Sequence, residues 1–95
     1  MYRVYTLKVV RKDLKRLSKP AVAKIVDFCL PQLSKNPHLG TLLSGDLRGY
    51  WKYVFRFQGT SYRIVYQAFE KDKVILVIAI GPRGEFYERL LRRIK

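Results

Sequence analysis

Residues 50–83 read YWKYVFRFQGTSYRIVYQAFEKDKVILVIAIGPR, and this stretch decides the fold. Tyr50–Phe57 and Tyr62–Phe69 each alternate two kinds of side chain, as strands with one buried face do. Residues 58–61 (QGTS) separate these strands and are predicted to form a hairpin turn. Val74–Ile80 is apolar on both faces, which is typical of a central strand. The stretch therefore predicts an antiparallel meander of three strands.

A short strand and two helices are predicted before the meander, and one helix after it. Tyr2–Leu7 alternates as a strand, and Ser34–Gly49, rich in Gly, Asn, Pro and Ser, is predicted to be a loop. The first helix ends at a break at residues 18–20 (SKP), and the last helix is Glu85–Lys95. Their apolar stripes consist of Val10, Leu14 and Leu17 in the first helix and Tyr87, Leu90, Leu91 and Ile94 in the last.

The second helix has the clearest periodicity, with an apolar stripe from Val22 to Leu33 over three turns. Cys29 lies on this stripe, and we interpret it as a small buried hydrophobic residue and not as a nucleophile. Pro31 lacks the N–H that would bond to Asp27, so we expect a kink or an early end near Leu30.

These elements follow the order β-α-α-β-β-β-α. The chain of 95 residues is predicted to be a single domain, residues 1–95, of the α+β class. The expected sheet is small, twisted, mainly antiparallel and of about four strands. With 48% hydrophobic residues the core is small, so a modest stability is expected.

The charge balance points to a strongly negative partner. Twenty Lys and Arg against seven Asp and Glu give a formal charge of +13. The basic residues are interleaved with apolar ones throughout the chain and do not form a tail. Self-repulsion of this size costs stability, and nucleic acid or an acidic protein segment would relieve it.

A cytoplasmic protein without a membrane segment is predicted. The single cysteine excludes an internal disulfide and fits a reducing compartment. Met1–Lys8 lacks the apolar run of a signal peptide, and the longest apolar run, Val74–Ile80, is far short of the ~20 residues of a membrane helix.

Several kinds of catalytic site are excluded by composition. One Cys and one His cannot build a metal cluster, no glycine-rich phosphate loop precedes a helix, and no Ser-His-Asp set can be assembled. His38 follows an Asn-Pro pair in the loop without a nearby acid, and a role as general base is the lesser interpretation. An enzyme of this composition works with Lys, Arg and Tyr, and we predict neither metal nor cofactor.

Strand alternation predicts that such residues meet. Lys52 and Arg56 share one face of the first meander strand, and Arg63 lies across the hairpin. Arg83 follows the central strand, and Tyr87 begins the last helix. A concave face with four cations and a phenol suits a bent RNA phosphate. The pattern is equally compatible with a solvated face on which Tyr87 only packs against the core.

These residues also resemble a known family. Leu47-Arg48-Gly49, the basic aromatic strand, YRIVYQ at residues 62–67 and GPRGEFY at residues 81–87 resemble the RelE branch of the RelE/ParE toxins. The resemblance covers nearly the whole chain. Its specific parts are the YRIVYQ strand and the Arg-x3-Tyr ending, whereas the N-terminal helices match only in pattern.

The resemblance implies a RelE-like fold and a toxin of a type II toxin–antitoxin system. It further implies a metal-independent endoribonuclease that enters the ribosomal A site, where the 2′-hydroxyl of the mRNA attacks the adjacent phosphate. By matching position, Arg63 stabilises the phosphate charge, Arg83 is the general acid or stabilises the leaving group, and Tyr87 is the base. A free tyrosine, with a pKa of about 10, is a poor base unless cations favour its phenolate. The implied partners are an acidic RelB-like antitoxin, the ribosome and mRNA, with RNA contacts from Lys52, Arg56 and Arg48.

One departure and two alternatives remain. The family usually has two basic residues two positions apart on this strand, whereas here Lys52 and Arg56 flank Val54, so either one is the equivalent. A ParE-like inhibitor of DNA gyrase shares the fold but does not need Arg63, Arg83 and Tyr87 together. A non-catalytic RNA-binding domain would expose stacking aromatics, whereas most aromatics here share the parity of the core face.

Overall fold

Five strands form the sheet in the computed structural model, which describes residues 1–82 and 86–94. The order across the sheet is β1-β5-β4-β3-β2, with β1 parallel to β5 and the other pairs antiparallel. The predicted meander, β3 to β5, is therefore present and takes the three inner positions of the sheet. In chain order the strands are β1 (Arg3–Thr6), β2 (Thr41–Leu42), β3 (Trp51–Phe57), β4 (Thr60–Phe69) and β5 (Val74–Pro82).

The α+β class is confirmed, but the sheet has one strand more than the predicted four or so. The additional strand is β2, within Ser34–Gly49, which the sequence predicts to be a loop. Thr41 pairs with Lys52 and Leu42 with Trp51. A strand of two residues is too short for alternation to be visible in the sequence.

The sequence predicted one hairpin turn and one break between helices. The hairpin between β3 and β4 turns on Gln58 and Gly59, whose positive φ angles of 51° and 81° match the twist of the flanking strands. The predicted break between the first two helices is also present, but it lies at residues 16–18 and not 18–20. Ser18 caps the second helix, accepting a hydrogen bond from the N–H of Ala21 at 3.3 Å, and Pro20 lies in its first turn.

The helices follow the predicted order. No helix among the described residues is long and apolar enough to cross a membrane. Their bounds are α1 (Val10–Lys15), α2 (Lys19–Lys24), α3 (Leu30–Lys35) and α4 (Phe86–Ile94).

Pro31 does not end the second helix. The helical path continues from α2 through a π-helical turn, Ile25–Cys29, into α3. In this wider turn the N–H of Leu30 donates to the carbonyl of Ile25, five residues earlier. Pro31 then occupies the first turn of α3, a position that tolerates a residue without an N–H. The early end expected near Leu30 is therefore wrong, and the helix continues to Lys35.

Apolar side chains pack on both faces of the sheet. β4 places Ile64 in a larger cluster on one face and Val65 in a smaller cluster on the other. α4 covers the smaller cluster with Phe86 and Leu90, so we call this side the α4 face. The larger cluster, which includes the helical side chains Ile25, Cys29 and Leu33, also holds Val10, Ala21, Phe55, Tyr62, Tyr66, Ile75, Val77 and Ile80.

A buried phenol fixes the segment before β2. The hydroxyl of Tyr66 donates to the carbonyl of Pro37 at 2.7 Å and accepts from the N–H of Gly40 at 3.3 Å. Burial raises the pKa of Tyr66, so the hydroxyl keeps its proton and continues to donate. A Cβ at Gly40 would lie 2.5 Å from the carbonyl oxygen of Lys52, so only glycine permits this approach.

Candidate functional site

The pairing of β3 with β4 gathers basic residues on the α4 face. Val54 lies directly opposite Arg63. Lys52 and Arg56 lie on β3, one to each side of Val54 and on the same face, so both are diagonal neighbours of Arg63. Long side chains reach across such diagonals. The hairpin thus brings the three basic strand residues singled out in the sequence onto one face.

Arg63 is half-buried, and part of its guanidinium group is closed off from water. Its Nε and Nη1 atoms are buried and have no hydrogen-bond partner among residues 1–82 and 86–94. Buried donors without a partner cost free energy and are rare in folded proteins. A guanidinium in this state matches an anion with several oxygens, because its planar fork can donate two parallel hydrogen bonds.

Tyr87 reaches the same place from α4. The guanidinium carbon of Arg63 lies 5.9 Å from the centre of the Tyr87 ring, near the limit of a cation–π contact. The ring also packs edge-on against Phe86, with the ring centres 5.3 Å apart. Phe86 and Leu90 are buried in the smaller cluster. The apolar packing of α4 therefore sets where the phenol stands relative to the cation.

The remaining predicted site residues have different surroundings. Lys52 is half-buried, whereas Arg56 is exposed. Arg48 is exposed and directly follows a short 3-10 turn whose last residue, Leu47, packs on the smaller cluster. The segment that carries Arg48 thus lies on the α4 side of the sheet. Arg83, the third predicted catalytic residue, lies outside the described residues.

His38 lies on the other side of the sheet. Its Nε2 is 2.6 Å from Oε1 of Glu70, an acid at the end of β4, and its ring centre is 5.0 Å from that of Trp51. Trp51 packs against the larger cluster, opposite the α4 face. The structure therefore does not bring His38 to Arg63, and its position gives no support to a role as general base.

Cys29 is a packing residue, as interpreted from the sequence. It is fully buried in the larger cluster, and this burial raises the pKa of its thiol to about 11, opposed by the charge of Lys24.

Within the described ranges no group of three or more His, Cys, Asp and Glu side chains is placed to hold a metal ion.

Sequence reasoning missed a buried ion pair between Asp13 and Arg93. The carboxylate of Asp13 is nearly inaccessible, and the pair joins residues 80 positions apart. One signal was present, since Asp13 is the only acid among the first 26 residues, in a segment rich in Lys and Arg. No local pattern indicates its partner.

The fold is that of a known toxin family. A family model described as the ParE-like toxin of type II bacterial toxin–antitoxin systems matches residues 4–91. The chain therefore belongs to the ParE-like toxins and is a toxin of a type II system.

Individual relatives agree with this membership. Toxin RelG of Mycobacterium tuberculosis is 26% identical over 89 residues, which are 93% of this chain and 98% of the relative. A chain of the M. tuberculosis toxin–antitoxin complex RelBE2 has a TM-score of 0.74 at 26% identity, covering 86% of this chain and 98% of that one. A variant of the E. coli toxin RelE in the free state has a TM-score of 0.72 at 22% identity, covering 99% and 98%. At that identity the last comparison concerns the fold alone, and the predicted RelE-like fold is confirmed.

Proposed function

We propose that this toxin is an endoribonuclease that cleaves mRNA in the ribosomal A site without a metal ion. One observation carries the proposal. The half-buried guanidinium of Arg63, with two buried nitrogens unpaired among the described residues, lies 5.9 Å from the ring of Tyr87. Phosphoryl transfer requires a cation that stabilises the charge on the phosphate and a group that accepts or donates a proton, and Arg63 and Tyr87 are groups of these two kinds. Membership of the toxin family supports mRNA as the target, because the loss of mRNA stops growth.

The proposed reaction needs no group beyond the RNA, the protein and water. The 2′-hydroxyl oxygen of one nucleotide attacks the adjacent phosphorus while the phenolate form of Tyr87 accepts the hydroxyl proton and becomes the neutral phenol. The bond from phosphorus to the 5′-oxygen of the next nucleotide breaks, leaving a 2′,3′-cyclic phosphate and a 5′-hydroxyl. Arg63 donates to the phosphate oxygens as their charge increases. The leaving oxygen takes its proton from Arg83, or from water while Arg83 stabilises its charge.

Binding of the mRNA is assigned to the other cations of this side. Lys52 and Arg56 flank Arg63 on the α4 face, and Arg48 lies on the same side of the sheet. Phosphates on either side of the cleaved bond are their proposed ligands, since Lys and Arg that contact phosphates release counterions. The formal charge of +13 adds a general attraction to the ribosome and its RNA.

The proposed protein partner is an acidic, RelB-like antitoxin. The RelBE2 complex from M. tuberculosis, which contains a chain similar to this one, pairs a toxin with its antitoxin. The structure also offers a groove of about 560 Å³ between α1 and α2, with Lys15, Lys19 and a single acid, Asp27, along it. An amphipathic helix with acidic residues fits an apolar groove with basic residues at its rim. The apolar lining consists of Leu14, Leu17, Val22, Ala23 and Val26.

The activity is tested with purified toxin and ribosomes that hold a defined codon in the A site. The message is expected to be cut at that codon with 2′,3′-cyclic phosphate ends, and the same RNA is expected to stay intact without ribosomes. Intact mRNA together with trapped cleaved complexes of gyrase and DNA would identify a gyrase inhibitor instead. Binding of RNA without any cleavage would identify a non-catalytic RNA-binding domain.

A further inference from the structure

The ion pair between Asp13 and Arg93 ties α4 to α1. Both terminal nitrogens of the Arg93 guanidinium donate to the Asp13 carboxylate, Nη1 to Oδ2 at 2.8 Å and Nη2 to Oδ1 at 3.0 Å. The two side chains are 17% and 5% exposed, Arg93 being the more exposed. This two-point contact fixes an angle as well as a distance, because the guanidinium and carboxylate planes must align.

The same pair also completes the hydrogen bonding of β5. β1 accompanies β5 only as far as Val77, and beyond that point this edge of β5 has no strand neighbour in the described part of the chain. Oδ2 of Asp13 accepts from the N–H of Ile80 at 3.1 Å, and Nη1 of Arg93 donates to the carbonyl of Ile78 at 2.9 Å. Two side chains from two helices thus replace the missing strand.

A buried ion pair by itself is weak support for a role in stability, because an apolar pair in its place is often equally stable. This pair does something that apolar side chains cannot, since it bonds to backbone groups at two defined positions of β5. Arg93 follows Tyr87 by six residues on α4, which is about 9 Å along the helix axis at ~1.5 Å per residue. Leu90 is buried between Tyr87 and Arg93, and Phe86 is buried directly before Tyr87, so these contacts together define the rotation and height of α4.

We propose that Asp13 and Arg93 are positioning residues of the proposed RNA-cleaving site: their ion pair, bonded to Ile78 and Ile80 on β5, sets α4 so that Tyr87 stands beside Arg63. The inference rests on the proposed function. Displacement of a reacting group by about 1 Å can cost ~10²-fold in rate, so a loosened α4 is expected to slow cleavage without weakening RNA binding.

The test uses three variants of the full chain and a fourth, Tyr87→Leu, as the reference for the Arg63 signal without the tyrosine ring. Asp13→Asn keeps the size of the side chain and removes its charge, and Arg93→Gln removes the other partner. Arg92→Gln is the matched control, because Arg92 is the exposed neighbour on the same helix and loses the same charge. The measurements are kcat and KM for ribosomal mRNA cleavage, amide hydrogen exchange along α4 and β4, and the NMR shift of the Arg63 Nε–H group, which senses the nearby Tyr87 ring.

Asp13→Asn and Arg93→Gln are expected to lower kcat by about 10²-fold at unchanged KM. Exchange in α4 should rise by at least about tenfold while Ile64 and Val65 in β4 stay protected, and the Arg63 signal should move toward its position in Tyr87→Leu. Arg92→Gln should change none of these. Wild-type kcat or an unmoved Arg63 signal in both variants would overturn the proposal, as would loss of protection in α4 and β4 together.

Failure of the proposed function gives a different result. Wild-type protein that cuts no mRNA refutes the endoribonuclease, whereas the exchange and NMR measurements still report whether the pair sets the place of Tyr87 beside Arg63.

Discussion

Replacement of Arg63 by alanine is the sharpest test of the site, because activity should fall steeply while stability hardly changes. Removal of one donor that stabilises a transition state typically costs ~10²–10³ in rate, or about 2.7–4 kcal/mol. The folded state loses the packing of the arginine stem but is also relieved of two buried nitrogens that have no partner among residues 1–82 and 86–94, and such nitrogens are unfavourable. The two effects oppose each other, so the free energy of unfolding should stay within about 1 kcal/mol of wild type, or about 4–8 °C in Tm.

The assay combines single-turnover cleavage on ribosomes with thermal unfolding of the same preparations. Arg56→Ala is the matched control, since Arg56 is an exposed arginine on the same face. It is expected to have a milder effect on the rate and no effect on Tm. The assignment is refuted if Arg63→Ala cleaves at the wild-type rate. It is equally refuted if the Tm of Arg63→Ala falls by much more than about 8 °C, because Arg63 would then be a residue that stabilises the fold.

Three further predictions follow from the described contacts. Tyr87→Phe keeps the ring and its packing on Phe86 but loses the hydroxyl, so cleavage should fall by ~10²–10⁴ at unchanged Tm, and wild-type cleavage would exclude Tyr87 as the base. Ribosome binding should weaken steeply with salt, and whichever of Lys52→Ala and Arg56→Ala lowers the slope of log K against log salt by about 1 identifies the phosphate contact on β3, whereas a flat dependence would contradict phosphate binding. With a pKa of about 11, the Cys29 thiol is ionised in only about one molecule in 10³ at pH 8, so alkylation should require unfolding, and rapid labelling of folded protein would show that it is accessible.

The sheet was largely predictable because side chains on a strand alternate with a period of two. That period assigned Lys52 and Arg56 to one face and the aromatic residues of β3 to the other, and the register of the hairpin agrees with it. The same rule cannot predict β2, because alternation is not visible in a strand of two residues. The helix end expected near Pro31 failed for a related reason. A π-helical turn has no distinct sequence period, because it arises from the fit of the helix to its surroundings.

The pairing of Asp13 with Arg93 could not be predicted from the sequence. Both residues lie in helices with many basic side chains, and their contact depends on how α1 and α4 meet at β5. Arg63 and Tyr87 could be singled out individually, through strand alternation and through the resemblance to a toxin family. Their separation is a tertiary property, because it depends on the packing of α4 against the smaller cluster.

One irregularity in β5 links these tertiary contacts. Val65 pairs with Ala79 and Tyr66 with Val77, so Ile78 is an additional residue without a partner on β4. Because of this bulge, Ile78 and Ala79 both face α4 in the smaller cluster, where strict alternation would place only one of them. Ile78 itself supplies the carbonyl that accepts from Arg93, and the N–H of Ile80, two residues later, donates to Asp13. Val74–Ile80 is apolar on both faces, so a shift of alternation leaves no trace in its sequence. A single inserted residue thus adds both to the apolar surface under α4 and to the backbone groups that hold its far end, and on the proposed positioning of α4 both contribute to the place of Tyr87 beside Arg63.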